Sequence, residues 1–443
     1  MKPGTWTSDN VPLTGLRLKR ANDWGNGLVA CWKRNLYILW LGLFLNHMAF
    51  TLSVPFYPLF LRDFLGIRSG LEAWSGISIS ISFLISGLCA PFWGSLADKH
   101  GSKLMLVRSG VGLGLAHLAN YFVHDPFMFI AARIFQGLMA GFSPAAVALV
   151  GTHTPEKHVG YALGVISTST AAGGILGPLA GGVLASWLGL RGCFIASGVI
   201  MLLSAAIVLG VKEVRESRSP TRPSVLQDLK HAAANPRLMR AYGLMLLVST
   251  SVMILEPLLT IYVIQIGGTA TNAALSSGIV FSAVGFATVL MGSVWGRIGG
   301  RIGYERTLLI GLLGGGIGNL LQLAVHHLAA FGLLRFGYGL FFAAVYPAIN
   351  ALVIQNADNG FRARAVSLSQ SANQFGIVAG PLLGGILGGW IGIPFVFLLT
   401  GLALLGAAWG FNSMNSIRPG MRVPGSWAAR LRPKGARHRR LDE

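Results

Sequence analysis

Gly173-Gly174-Ile175-Leu176-Gly177-Pro178-Leu179-Ala180-Gly181-Gly182 returns 203 residues later as Gly376-Ile377-Val378-Ala379-Gly380-Pro381-Leu382-Leu383-Gly384-Gly385. Glycines four apart in an apolar run let two helix backbones approach closely. A proline inside such a run costs about 3 kcal/mol in a soluble helix, but a membrane helix tolerates it where neighbours satisfy the freed carbonyl. Two further matches keep nearly the same spacing. Gly94-Ser95-Leu96-Ala97-Asp98-Lys99-His100-Gly101 recurs as Gly296-Arg297-Ile298-Gly299-Gly300-Arg301-Ile302-Gly303, and Arg133 with Gly137 recurs as Arg335 with Gly339, both 202 residues on. Three matches at nearly one spacing read as one unit written twice, with a site between the copies.

Composition agrees. Of 443 residues 53% are hydrophobic and only 11% are charged, against about 25% in a soluble domain. The mean hydropathy is +0.61. A soluble enzyme, a disordered chain and a coiled coil are all excluded, and sixty glycines without a triplet period exclude collagen. The apolar runs do not alternate with polar residues, which argues against a barrel of strands. The expected fold is an all-α integral membrane protein.

A bilayer core takes roughly 20 helical residues to cross. Twelve such runs are predicted, at 35–61, 74–96, 104–123, 126–150, 161–187, 193–211, 241–264, 274–296, 307–325, 328–353, 365–390 and 394–412. They form two six-helix bundles, 35–211 and 241–412. Around them lie an N-terminal extension (1–34), a linker (212–240) and a basic tail (413–443). The linker carries Ser217, Pro220, Pro223 and Lys230 and is expected to hold a short helix near 225–234. With the N-terminus inside, 29 of the 35 Lys and Arg fall on the inner side and three, Arg62, Arg68 and Arg191, on the outer side. That imbalance predicts cytoplasmic termini and accounts for the net charge of +20 without nucleic acid. Arg437, Arg439 and Arg440 in the tail suit an anionic lipid surface. Cys31, Cys89 and Cys193 form no C-x-x-C pair and read as small reduced hydrophobes. The first thirty residues lack a cleavable signal core, so the first span is expected to drive insertion.

Few groups inside the spans can carry chemistry. Glu256, followed by Pro257, is the only acid in any span. Proline disfavours a helical residue before it, so a break is expected at this carboxyl. An apolar surrounding disfavours the charged form of an acid, which makes Glu256 the leading proton carrier. Arg133 is expected to be the charge that tunes it; a permanent structural pairing of Glu256 with Arg133 or a polar group is the plainer reading. Arg133 lies deep enough to need a partner or a wet cavity, or else to snorkel. Arg335 lies closer to the outer end of its span, where snorkelling is favoured more. His47, beside Asn46, is the second titratable candidate, or a neutral imidazole within the bundle. Gln136 is a polar candidate for the cavity wall. No G-x-x-x-x-G-K-[ST] loop, H-E-x-x-H or paired Cys/His spacing occurs, so neither ATP hydrolysis nor a metal is expected.

Gly94-x-x-x-Asp98-Lys99-x-Gly101-x-Lys103 resembles the signature loop of the major facilitator superfamily, with Ser102 where a basic residue is usual. Arg133-x-x-Gln136-Gly137 and the doubled glycine-proline motif resemble signatures of its twelve-span drug:proton antiporter branch. Trp32-Lys33-Arg34-Asn35-Leu36, Pro91-Phe92-Trp93-Gly94 and Lys103-Leu104-Met105-Leu106 are similar to the MdtG-type group of bacterial multidrug exporters. The resemblance covers about residues 32–412.

It implies a monomeric secondary exporter of the bacterial inner membrane, without cofactor or enzymatic activity. Inward proton movement would drive it against small amphipathic or toxic compounds. A dedicated metabolite or siderophore exporter is the alternative on the same scaffold, and a membrane enzyme acting on lipid would need clustered carboxylates or histidines that are missing. The resemblance further implies a cytoplasmic gate loop of Gly94, Asp98, Lys99, Gly101, Lys103 and Arg301. Because Gly300 replaces the aspartate in the second copy, that latch is expected to be one-sided. An antiporter motif of Gly173, Gly177, Pro178, Gly181, Gly182, Gly376, Gly380 and Pro381 is expected to pack where the halves meet on the outer side. Asn46, Phe50, Gln136, Tyr262, Tyr338 and Tyr346 are expected in the cavity wall, as is Tyr57, although each ring alone also suits ordinary packing.

Overall fold

The structure is a computed structural model and describes residues 14–213, 225–267, 273–358 and 361–416. The tail arginines and parts of the N-terminal extension and linker lie outside these residues. Among the described residues all regular structure is helical. The N-terminal half contains α1 (Thr14–Ser53), α2 (Tyr57–Asp63), α3 (Leu71–His100), α4 (Ser102–Ala119), α5 (Pro126–Met139), α6 (Phe142–His153) and α7 (Glu156–Val208). A short helix, α8 (Val225–Ala233), occupies the linker where one was expected. The C-terminal half contains α9 (Pro236–Met253), α10 (Glu256–Gln265), α11 (Ala273–Ile302), α12 (Tyr304–Leu321), α13 (Leu328–Phe342), α14 (Val345–Asn356), α15 (Arg362–Ile391) and α16 (Ile393–Ser416).

Ten helical stretches among the described residues are long and apolar enough to cross a membrane. One of them, Lys157–Val208, has 52 residues. At 1.5 Å per residue it would run about 80 Å if straight, more than twice a bilayer core. It reverses at Gly189, where φ is +71°. Gly173 meets Phe44 and Met48 of α1, and Ser204 and Val208 of the same α7 meet Gly42 of α1. Both arms therefore lie on one helix. The 18-residue α4 runs beside them with Gly110 and Gly114 against Ala205 and Leu202.

The break expected at Glu256 is present, and other helix ends fall at proline, glycine or capping residues, while α3, α7 and α15 run through Pro91, Pro178 and Pro381. Pro55 sits in a 3-10 turn (Val54–Phe56) between α1 and α2. Pro257 opens α10 just after the break at Ile254–Leu255. Asp125 accepts hydrogen bonds from Phe127 N (2.8 Å) and Met128 N (3.0 Å), capping α5 with Pro126 in its first turn. Asn235 and Pro236 start α9 in the same way. Gly101 (φ +97°) and Gly303 (φ +93°) turn the chain between α3 and α4 and between α11 and α12. A side chain at such angles is strained, so glycine is required at both turns.

Each half has its own apolar core, one around Leu39, Leu43, Phe142 and Leu149, the other around Met245, Leu312, Phe342 and Val345. Call the end that carries Gly101, Gly303 and α8 the basic end. The halves meet towards the opposite end, where Phe56 and Leu59 cluster with Ala273 and Ile264. Towards the basic end, added side chains at Gly87 and Gly94 of α3, Gly160 and Gly164 of α7, and Gly292 and Gly296 of α11 would meet nothing within 4 Å. The halves thus meet at the end opposite the basic one, while these glycines near the basic end face open space.

Candidate functional site

Between the halves lies a cavity of about 290 Å³. It is walled by α7, α9, α10, α11 and α13. Leu255, Leu259, Phe281 and Val284 make most of the wall apolar; Thr170, Thr288, Glu256 and Arg335 supply the polar groups. Glu256 is in the first turn of α10, and no hydrogen bond or ion pair within 4 Å engages its carboxyl among the described residues. The arginine that shares the cavity wall with Glu256 is Arg335. This corrects the expected pairing with Arg133. Arg335 does not snorkel outward either: it lines the cavity with its guanidinium 5.4 Å from the Tyr338 ring.

Arg133 is buried within the N-terminal half, 1% exposed. Its Nη1 donates to the Tyr57 hydroxyl, and its guanidinium lies 4.8 Å from the Tyr57 ring and 5.0 Å from that of Phe129. Such faces stabilise a cation that has no carboxylate beside it. The two arginines repeat in sequence yet differ in surroundings: Leu259, Tyr338 and Glu256 stand 202 residues after Tyr57, Gln136 and Val54. Arg335 faces the cavity. Neighbouring Gln136 is also buried, 3.4 Å from His117 Nε2.

Most of the expected cavity wall is instead packing. Phe50 lies edge-on to Phe83, Tyr262 packs among Phe331 and Phe397, and Tyr338 stacks on Phe342. Asn46 is buried, with its Nδ2 lacking a partner. Tyr346 donates to Ser249 Oγ (3.5 Å), which donates to Asn373 Oδ1 (2.5 Å), a polar chain inside the C-terminal half. His47 packs on Gly173 and Gly174 and stacks with Phe50 at 6.3 Å; Gly174 in turn lines the cavity. Aromatic residues in a membrane bundle fill space as readily as they line it, so position along a span does not separate the two uses.

The glycine motif divides between two contacts, a correction to its expected place wholly between halves. Gly173, Gly177 and Gly181 pack on α1 against Met48, Thr51 and Leu52; Gly376, Gly380 and Gly384 pack on α9 against Leu246, Thr250 and Ile254. These contacts stay within one half. Gly182 faces Leu275 of α11 across the interface, and Gly385 faces Glu72 and Ala73 of α3. The carbonyls of Pro178 and Pro381 meet Gly278 and Gly76 there, two glycines themselves 202 residues apart. Helical period explains the division: residues four apart share one face, and the remaining residues of the motif turn to another.

At the basic end Asp98 and Lys99 occupy the last turn of α3, Lys103 the first turn of α4 and Arg301 the last turn of α11. Gly94 and Gly300 face open space. The acid at the start of α4 is Glu213, which accepts from Ser102 N (2.7 Å) and Lys103 N (3.1 Å) and lies against Gly101. Its carboxylate meets the positive helix terminus. The chain before it is pinned by Asn35, which donates to Lys212 O (2.8 Å) and accepts from Lys212 N (3.1 Å). At α12 the acid comes from the helix itself, as Glu305.

A second doubled feature escaped the sequence reading. Trp93 Nε1 donates to Leu138 O (2.8 Å), and Trp295 Nε1 donates to Leu340 O (2.7 Å). Both pairs repeat at 202 and tie off carbonyls beside the breaks α5–α6 and α13–α14. Arg108 lies 3.4 Å over the Trp93 ring and donates to Ala140 O (2.9 Å), while Ser109 donates to Met139 O (2.8 Å). Only the recurrence of tryptophan at the repeat spacing could have flagged this.

The profile of the Major Facilitator Superfamily matches residues 39–298 and 268–435. Multidrug resistance protein MdtG of Escherichia coli (strain K12 / DH10B) is 36% identical over 397 residues, 87% of this chain and 96% of that protein. The same protein of Escherichia coli O139:H28 matches equally. Among solved structures, a bacterial homolog of the human lysosomal transporter Spinster, inward-facing and unoccupied, aligns with a TM-score of 0.70 at 16% identity, over 86% of this chain and 96% of that one. The nucleoside transporter NupG aligns with a TM-score of 0.71 at 14% identity, over 86% and 99%. These are transporters, not enzymes, and this chain is a membrane transporter that belongs to the major facilitator superfamily.

Proposed function

We propose that the chain is a proton-coupled multidrug exporter of the bacterial inner membrane that works by alternating access. The observation that carries this is Glu256, the one carboxyl in the spans, set at a helix break in the cavity between the halves with Arg335. A carboxyl placed there can change charge during a cycle, and movement of the halves changes what surrounds it. Protonation and orientation are then linked. The apolar wall suits amphipathic compounds, and the naming of MdtG as a multidrug resistance protein supports that class.

In this reading the chain crosses the bilayer twelve times. The two arms of α7 count separately and α4 is counted as well, although Lys103 and Arg108 lower its apolarity. Two six-helix units, 35–211 and 241–412, flank the cavity, and the basic end is cytoplasmic by its lysines and arginines. The described form is then closed outside and parted inside. Protons supply the energy without a cofactor, and a monomer suffices, since the cavity is complete within one chain. Arg335 tunes Glu256, His47 is the reserve proton carrier, and Asp98 with Lys99 forms the inner latch. A susceptibility panel in a pump-deficient host, with and without a protonophore, tests the function. Raised tolerance to several unrelated compounds, abolished by the protonophore, is expected; tolerance to one metabolite class alone would favour a dedicated exporter.

A further inference from the structure

Among the described residues two side-chain hydrogen bonds cross between the halves, and both run in one direction. Thr260 Oγ1 on α10 donates to Pro55 O (2.5 Å), and Ser282 Oγ on α11 donates to Ile175 O (2.6 Å). Both hydroxyls are buried. Neither has a working counterpart in the other half. Ser80, 202 residues before Ser282, is buried on α3 with its Oγ unpartnered, and Pro58 stands where the repeat would place a match for Thr260. The C-terminal half therefore donates and the N-terminal half accepts.

The two bonds also border the cavity on its closed side. Thr260 is one helical turn beyond Glu256, on the same helix. Ser282 follows Phe281, and its acceptor residue Ile175 lines the cavity too. The Pro55 carbonyl, in a 3-10 turn, is available because Pro58, three residues on, has no N–H to donate to it. In a dry contact a carbonyl without a donor is costly, whereas an opened outer face lets water satisfy it. Removing the Thr260 hydroxyl leaves Pro55 O without a donor in the closed form, and removing that of Ser282 costs the closed form a bond between the halves; the open form bears neither loss.

We propose that Thr260 and Ser282 are the fasteners of the closed outer gate. The proposal rests on the alternating-access reading above. Spin labels at Arg68→Cys and His326→Cys, both exposed at the outer end, read the opening by pulsed dipolar distances in nanodiscs. Cys31, Cys89 and Cys193 are first replaced by alanine. The variant Thr260→Val with Ser282→Ala is expected to raise the ratio of long to short distances about tenfold, the scale of two modest hydrogen bonds. Thr260→Ser keeps a hydroxyl and is expected to retain the parent distribution. Ser80→Ala is expected to change nothing.

Gly278→Leu is the control for separation itself, because its side chain would occupy the place of Pro178 O. If Gly278→Leu lengthens the distances and the double hydroxyl variant does not, the fasteners are refuted while alternating access stands. A shift in Ser80→Ala as large as that of the double variant would also overturn the one-sided arrangement. If Gly278→Leu itself leaves the distances short, the halves do not separate at this contact, and both readings fall.

Discussion

Gly76→Ala and Gly177→Ala differ by one methyl each from the parent, yet they are expected to fail in different ways. A Cβ at Gly76 would lie 3.1 Å from Gly385 Cα and closer still to Pro381 O, all backbone of α15 in the other half. Carbon atoms settle at about 3.5–4.0 Å, so α3 and α15 would have to part by roughly 0.5–1 Å. Neither neighbour can rotate away. Overpacking of this kind costs about 1–3 kcal/mol, and here only the closed form bears it. The ratio of outward-open to closed molecules is expected to rise roughly 5- to 150-fold. A Cβ at Gly177 meets Thr51 Oγ1, Met48 O and Leu52 N, all on α1 of its own half. That cost falls on both forms and should appear as lost stability without a shift of the gate. The assay is labelling of Leu59→Cys, buried where the halves meet, by an impermeant maleimide from outside in a cysteine-free background. Gly76→Ala is expected to label several-fold faster and Gly177→Ala at the parent rate. Equal rates in the two variants would refute the division of the glycine motif into gate and core faces.

Three further outcomes follow from the same geometry. Asp98→Asn should weaken vesicle transport far more than Gly300→Asp, and equal losses would refute a one-sided inner latch. Glu213→Ala removes the cap of α4 and should lower stability by about 0.5–2 kcal/mol, read as a lower unfolding temperature in detergent; an unchanged temperature would show the cap to be idle. Tyr57→Phe leaves the buried Arg133 Nη1 without its acceptor and should cost about 1–3 kcal/mol, read as a lower unfolding temperature in detergent; an unchanged temperature would show the bond to be idle.

The sequence carried the architecture because the bilayer and the repeat act along the chain. Apolar length, proline at Pro55 and Pro257 and glycine at Gly101 and Gly303 state their consequences locally, and the helices begin and turn at those residues. Which residues face the cavity is another matter. Arg133 and Arg335 occupy equivalent places in the two copies, yet their neighbours differ, Tyr57 against Leu259, Gln136 against Tyr338 and Val54 against Glu256, and one lies in a packed core while the other lines the cavity with Glu256. No local pattern encodes that. The same holds for Glu213, whose role depends on a helix start 111 residues away. The tryptophan pair was legible in principle, since Trp93 and Trp295 keep the repeat spacing, but their carbonyl partners depend on helix breaks that bring Leu138 and Leu340 within reach.

Whether Glu256 carries the coupled proton is read from uphill transport by Glu256→Gln protein. Inverted vesicles with an imposed proton gradient are loaded with a fluorescent substrate of the parent, and accumulation against its gradient is followed beside equilibrium binding. The account predicts binding close to the parent and no uphill accumulation. Uphill accumulation by Glu256→Gln at the parent rate would contradict it, and His47→Ala in the same vesicles would then show whether the imidazole beside Gly174 carries the proton instead.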